Sequence, residues 1–366
     1  MKKLKISYYL IALLMLAVMA VSGCSMLGGT GYKNYSDSFF DTFNTLVQFS
    51  AYTESEDEFR LYYDHVQSRM QELHRLYDIY STYEGINNIK TINDQAGIAP
   101  VKVEQEIIDL ILFTKDWSEK SSGLTNIALG PVLKIWHRYR EDGLFDPATA
   151  TLPAMEELRE AARYTDLDQV VVDPNESTVF LPDRRMSLDV GAVAKGYAVE
   201  LVANELKAMG LESAIISAGG NVSLIGKPLD GKRDLWGVGI QNPDQSIVGS
   251  SDNLLDVLYL SDAAVVSSGD YQRFYVVEDQ VIHHIIDPVT LMPATYYRAV
   301  TVVAKDSGVA DFLSTELFLQ PLERSLQLAE SLNGVEALWV MPDGSLVVTG
   351  GMEKLLRSKG ATNQDN

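Results

Sequence analysis

Residues Leu188-Asp-Val-Gly-Ala-Val-Ala-Lys-Gly-Tyr-Ala-Val-Glu200 constrain the fold of this chain more than any other stretch. An apolar strand end followed by small residues predicts a sharp turn into a helix that packs closely on the strand's sheet. A helix start exposes unpaired backbone N–H groups and a positive dipole end, which suits phosphate. Lys195 adds a point charge there, while Asp189 would repel a bare phosphate and so points to a metal ion or a polar ligand group nearby. The combination points at a nucleotide. Close packing alone accounts equally well for small residues at a helix start. The segment is neither a P-loop nor a Gly-x-Gly-x-x-Gly fingerprint.

The N-terminus reads as an address rather than as fold. Lys2, Lys3 and Lys5 precede an apolar run from Tyr8 to Val21 and then Val21-Ser-Gly-Cys24, the pattern of a secretory leader. The run is short for a membrane span. Cys24 is the single cysteine of the chain and stands where a bacterial lipoprotein box places its modified residue. The expectation is therefore a signal peptide over 1–23, lipidation of Cys24, and a domain tethered at the extracytoplasmic face of the cell membrane. A tether over 24–38 follows, in which Met26 to Ser38 is rich in Gly, Ser and Asn. Without other cysteines, disulfides are ruled out and a full-sized core must supply stability. The chain has 366 residues and a formal net charge of −20, and the part beyond the leader's lysines is more acidic still. That balance excludes nucleic acid as a partner, because too little basic surface remains to neutralise phosphates.

Ser55-Glu-Asp-Glu58 has the form of a capping box, and Phe59, Tyr62, Val66, Met70, Leu73, Tyr77 and Tyr80 continue at helical spacing. His65 and His74 lie on this long helix without metal-ligand spacing. A second helix is expected from about Val103 to Ser121, and Pro153 opens a short third. Gln169–Asp173 and Thr178–Leu181 read as a hairpin across Pro174-Asn175. The helix after Asp189 ends at Gly210. Strands are expected at Ser213–Ser217, Asn221–Gly226, Trp236–Gln241, Asp256–Leu260, Tyr271–Val277 and Ala299–Ala304, and helices at Gly308–Leu319 and Leu322–Leu332. Val335–Met341 and Ser345–Thr349 form a closing hairpin. Meandering strands between helices predict an α+β fold rather than regular βαβ winding.

Three constellations carry chemistry. Ser217-Ala-Gly-Gly-Asn221 after an apolar strand allows close backbone approach to a ligand or another segment, or is a plain turn. His283-His-Ile-Ile-Asp-Pro288, read as a strand, places His284 and Ile286 on one face and Ile285 on the other. His284 suits proton transfer near neutrality, whereas Asp287 serves either catalysis or the turn that follows. Asp311 and Thr315 share one face of a helix, and a carboxylate with a hydroxyl suits Mg²⁺ better than Zn²⁺. Surface Asp and Thr on any helix have the same spacing.

In register, these motifs resemble the ApbE family of FAD:protein FMN transferases. The matching pieces are Leu188-Asp-Val-Gly-Ala-Val-Ala-Lys-Gly-Tyr-Ala198, Ala218-Gly-Gly-Asn221, Ser268-Gly-Asp-Tyr271, His284-Ile-Ile-Asp-Pro288 and Ala310-Asp-Phe-Leu-Ser-Thr315, with Ser81-Thr-Tyr83 and Gly130-Pro131 with Trp136. The likeness runs from about Phe39 to Val348. It implies a two-lobed, T-fold-related α+β architecture with mostly antiparallel sheets over 39–355, followed by a polar tail over 356–366. FAD would be the substrate, contacted by Phe43, Tyr83, Leu124, Thr125, Asn126, Asp189, Lys195 and Ile285. Mg²⁺ would be held by the Ala192 carbonyl, Asp311 and Thr315. The family often has Phe-Asp-x-Thr before its Gly-Pro, whereas Thr125-Asn-Ile-Ala128 stands here.

The chemistry implied is attack of an acceptor threonine or serine hydroxyl on the FMN-side phosphorus of FAD, with loss of AMP. His284 is the preferred proton acceptor, ahead of Asp270 and Asp287. The expected partner is an extracytoplasmic or membrane redox protein that displays a Thr/Ser flavinylation motif. An FAD pyrophosphatase using water, a non-catalytic flavin-binding lipoprotein and a solute-capture lipoprotein are the competing readings.

Overall fold

A hairpin opens the sheet. The computed structural model describes residues 31–245 and 253–364, so the signal peptide expected over 1–23 and the lipidation expected at Cys24 fall outside the described residues. Strand β1 (Lys33–Thr42) pairs antiparallel with β2 (Thr45–Thr53). The turn residues Phe43 and Asn44 both have positive φ, 50° and 51°, the twist that a two-residue hairpin connection requires. Strand β1 therefore takes up Lys33–Ser38, which the sequence assigned to the tether; pairing with β2 satisfies that backbone despite its polar composition.

Helix α1 (Glu56–Tyr77) forms where expected but stops at Asp78, which leaves Tyr80 beyond its end. Ser55 Oγ accepts from Glu58 N at 3.2 Å, while the Glu58 carboxylate reaches back to Glu54 N at 2.8 Å, one residue earlier than a capping box would place it. His65 pairs with Glu205 at 2.8 Å, a packing role. Next come α2 (Ile89–Asp94), β3 (Val101–Lys102), α3 (Gln105–Lys120), α4 (Gly130–Phe145), α5 (Met155–Ala162), β4 (Val171–Asp173) and β5 (Thr178–Phe180). The turn then leads into α6 (Ala194–Ala208), followed by β6 (Ala214–Ala218), β7 (Asn221–Ile225), β8 (Trp236–Gln241), β9 (Leu254–Leu260) and β10 (Ala264–Gly269). The C-terminal third contains β11 (Phe274–Val277), β12 (Gln280–His283), β13 (Ala299–Ala304), α7 (Ser307–Phe318), α8 (Leu322–Ser331), β14 (Glu336–Val340), β15 (Leu346–Val348) and α9 (Gly350–Leu355).

The fold is α+β, and every ladder among the described residues is antiparallel. The main sheet runs β1-β2-β6-β7-β10-β13-β14-β15, with smaller sheets β3-β5-β4, β8-β9 and β11-β12. All six residues of β13 are buried, because helices cover one face of the sheet and β8, β9 and α9 the other. A separate apolar cluster joins α4, α5, β11 and β12. The expected polar tail packs instead. Leu356 is buried and bridges to Leu258, and the Asn363 carbonyl accepts from Asp234 N at 2.9 Å.

The Gly219-Gly220 turn between β6 and β7 has φ of +52° and +98°. A Cβ on Gly219 would fall 2.0 Å from Thr45 Oγ1. Glycine is needed there because the tips of two hairpins meet. That contact brings the Phe43 turn toward the start of β7, where Asn221 stands.

Candidate active site

Lys195 and Gly196 occupy the first turn of α6, and Asp311 faces them from α7. The Gly196 N–H donates to Asp311 Oδ2 at 2.7 Å. Gly196 has no room for a side chain, since a Cβ would meet Asp311 Cβ and the Ser307 carbonyl oxygen, each at 2.4 Å. Lys195 Nζ donates to Asn221 Oδ1 at 2.5 Å. Burial pushes the Asp311 carboxyl up, against the opposing pull of Lys195 and of the Gly196 N–H. Burial pushes the Lys195 ammonium down; Asp311 opposes this and Arg273 reinforces it. A carboxylate and an ammonium thus share a pocket that solvates neither fully.

Asp311 also belongs to a set of hard-oxygen donors on these two helices' facing segments. Among the described residues no group of three His, Cys, Asp or Glu could hold a metal, so a cation here would draw on a hydroxyl and a carbonyl. Thr315 lies one turn beyond Asp311 on α7 and is half-buried. In a regular helix the Gly196 N–H would point at the Ala192 carbonyl; here it is directed to Asp311. Asp311, Thr315 and the Ala192 carbonyl therefore fit Mg²⁺ by donor chemistry.

His284 does not continue a strand. Strand β12 ends at His283, and Ile286 makes an isolated bridge to Pro293, so the expected two-faced alternation is replaced by a bend. The bend turns His284 Nδ1 toward the Arg273 carbonyl at 3.2 Å, next to its own N–H at 3.1 Å. With the proton assigned to Nδ1 by that acceptor, Nε2 is the basic nitrogen. Burial, then Arg273, His283 and Arg140, push the imidazole down to about 3.

The other two proton-acceptor candidates are committed elsewhere. Asp270 Oδ2 accepts from Arg298 Nε at 2.6 Å and its Oδ1 is buried without a partner. Asp287 Oδ1 accepts from Val289 N at 2.7 Å, the bond expected of a turn-forming Asp.

Phe43 sits in the first hairpin, its ring edge-on to His74 with centroids 5.4 Å apart and its N–H donating to His74 Nδ1 at 3.3 Å. Tyr83 donates to Asp78 Oδ2 at 2.7 Å and is pushed up to about 12, by burial first and then by that carboxylate. Leu124 N and Thr125 N donate to the buried Glu316 at 3.4 and 2.6 Å. Asn126 uses both ends of its amide internally: Nδ2 donates to the Thr165 carbonyl and Oδ1 accepts from Ala128 N, each at 2.8 Å. Ile285 is buried and its carbonyl accepts from Ala294 N at 3.0 Å. Asp189 N donates to the Ile127 carbonyl at 2.7 Å, and its Oδ1 accepts from Gly191 N at 3.0 Å.

Asp189 also lines a cleft of about 690 Å³ together with Tyr80, Lys134, His137 and Arg185. His137, Arg140, Arg273 and Glu316 are functional-site neighbours that sequence reasoning missed. His137 and Arg140 ride on α4, whose Gly130-Pro131 start is a helix signal. Glu316 carried a weaker one, a second acid beside Asp311 on a helix that is largely buried.

Known proteins share this architecture. The model of the ApbE family matches residues 43–339. The chain is 34% identical over 281 residues to the FAD:protein FMN transferase of Treponema pallidum (strain Nichols), covering 74% of this chain and 75% of that protein. It is 29% identical over 287 residues to the FAD:protein FMN transferase of Klebsiella pneumoniae (strain 342), covering 77% and 84%. The crystal structure of the ApbE protein of Thermotoga maritima superposes with a TM-score of 0.75 at 26% identity, over 87% of this chain and 98% of that one. With the family model spanning most of the chain and a relative above 30% identity, the chain belongs to the ApbE family.

Proposed function

We propose that this protein transfers FMN from FAD to a threonine or serine hydroxyl of an acceptor flavoprotein and releases AMP, with Mg²⁺ held by Asp311, Thr315 and the Ala192 carbonyl. The observation that carries the reading is the buried junction of α6 and α7, where Gly196 N–H, Lys195 and Asp311 converge. Relatives that bear the name FAD:protein FMN transferase support the same substrates.

The acceptor hydroxyl oxygen forms a bond to the FMN-side phosphorus. The bond from that phosphorus to the bridging oxygen breaks, and AMP leaves with that oxygen. The hydroxyl proton passes to His284 Nε2. Bound Mg²⁺ supplies charge neutralisation for the pyrophosphate. Lys195 places a second positive charge beside it, and the start of α6 adds its dipole. Burial, then Arg273, His283 and Arg140, holds the His284 imidazole down, and an anionic phosphate beside the two arginines would offset their share of that depression as the proton moves. The Phe43 turn and Tyr83 are the proposed flavin contacts, with Ile285 adding apolar surface and the 124–126 loop, held by Glu316, adding backbone. Cys24 carries the lipid in this reading and keeps the enzyme at the extracytoplasmic membrane face, where its acceptors are displayed; a Cys24→Ser protein that still fractionates with membranes removes this element.

Incubation of the soluble domain with FAD, Mg²⁺ and a candidate acceptor, followed by intact-mass spectrometry, tests the reaction. An acceptor heavier by one FMN, with equimolar AMP, is expected. Steady release of FMN and AMP without any adduct replaces the transferase by a pyrophosphatase.

A further inference from the structure

Tyr80, His137 and Asp189 come from three separate segments and meet on one wall of the 690 Å³ cleft. Tyr80 Oη lies 3.3 Å from His137 Nδ1, and His137 Nε2 lies 3.8 Å from Asp189 Oδ2. The tautomer follows from the charges. The carboxylate favours a proton on the nitrogen that faces it, Nε2, so Nδ1 is bare and accepts from the Tyr80 hydroxyl. The opposite tautomer would set a lone pair against a carboxylate.

The rest of Asp189 is already anchored. Its backbone N–H is bound to Ile127, and its Oδ1 accepts from Gly191 N. The preceding Leu188 is clamped by Asn93, which accepts from Leu188 N at 2.6 Å and donates to its carbonyl at 2.9 Å. Oδ2 is the oxygen left to be oriented, and the imidazole is the group that faces it.

We propose that His137 is a positioning residue: its Nε2–H, held in that tautomer by Tyr80, faces Asp189 Oδ2 across a 3.8 Å gap that closes to a hydrogen bond when a flavin nucleotide enters, and so aims the carboxylate at the cleft, where it accepts a hydrogen bond from a hydroxyl or ring N–H of that nucleotide. This rests on the transferase reading above and names a residue that the family motifs do not contain. Burial pushes the imidazole down, with Asp189 opposing, so the ring is neutral near pH 7 and carries one N–H, as the arrangement needs. Tyr80 is itself fixed, since its N–H donates to Asp78 Oδ1 at 2.7 Å.

The test is FAD affinity, followed by flavin fluorescence on the intact soluble domain, for wild type and for His137→Phe, His137→Gln, Tyr80→Phe and Asp189→Asn. His137→Phe keeps the ring and removes the donor, and FAD should bind about tenfold more weakly. His137→Gln can donate its amide N–H to Asp189 and should stay within about threefold of wild type. Tyr80→Phe releases the tautomer lock, and nitrogen NMR of the imidazole should show loss of the single Nε2–H form. Melting temperatures should match across the His137 pair. Wild-type affinity in His137→Phe, alongside weakened binding in Asp189→Asn, overturns the positioning role alone. Equal weakening in the Phe and Gln variants overturns it too, because shape rather than the donor would then be at work. A wild-type protein that binds no FAD overturns the flavin reading on which it rests.

Discussion

The Gly196 N–H and the Asp311 carboxylate meet at 2.7 Å, so the first turn of α6 is fastened to a buried acid on α7. Any side chain at 196 collides with Asp311 Cβ and with the Ser307 carbonyl. Gly196→Ala should therefore lower stability by about 1–3 kcal/mol, the usual range for overpacking a tight site. It should also reduce flavin transfer, because the helices must separate. Thermal denaturation and a transfer assay check both effects, and an Ala variant with wild-type melting temperature and rate refutes the tight junction.

Asp311→Asn preserves shape and can still accept from Gly196, but it removes the charge that a divalent cation needs. Mg²⁺ should raise the melting temperature of wild type by binding the native state and leave the Asn variant unchanged. Transfer should fall below detection in the variant. A Mg²⁺-dependent shift that survives in Asp311→Asn places the ion elsewhere.

His284 stays neutral far below the usual range for histidine, down to about 3, through burial and the cations around it. Its unfolded form takes up a proton near 6.5. Between these values the unfolded state binds more protons, so this residue's contribution to stability is complete above about 6.5 and is lost as pH falls toward 3. His284→Gln should make urea unfolding less pH-sensitive across that window. The same substitution should cut transfer by about 10²–10⁴ if Nε2 takes the proton, with FAD affinity retained. A variant that keeps its rate moves the proton acceptor to another group.

Asp287 is a turn former in this structure. Replacing it with Ala removes the acceptor of Val289 N, at an expected cost of about 1–2 kcal/mol. Specific activity of the folded fraction should stay within about threefold of wild type, the opposite of what a general base would show. Denaturant melts read alongside active-fraction titration separate the two.

Local elements were legible where the chain states them locally. The Ser55 cap, the apolar spacing of α1, the span of β8 and the α6 start each depend on neighbours within a few residues, and they stand where periodicity and capping put them. Strands β1, β10 and β12 were not legible. Strand β1 is polar and mostly exposed, and it is a strand because β2 offers it a complete ladder. Strand β10 ends in Ser267-Ser268-Gly269, whose β character comes from lying between β7 and β13. At His284 a pattern that fits a strand gives way to a bend, after which only Ile286 pairs, with Pro293.

By itself the sequence determined the residue types available for chemistry: Lys195 at a helix start, Asp311 and Thr315 one turn apart, and a histidine before Ile-Ile-Asp-Pro. Their spacing within single elements follows from helix and strand geometry alone. Tertiary structure decided which of these meet and in what electrical state. Asp311 and Lys195 are far apart in sequence and share a pocket only because Gly196 lets two helices touch. Asp270 and Asp287 stood beside His284 as candidate proton acceptors, and packing tied them to Arg298 and to a turn. His137 became part of the cleft wall because α4 carries it to Asp189. Proximity and desolvation set these roles, and both are properties of the packed chain rather than of any local segment.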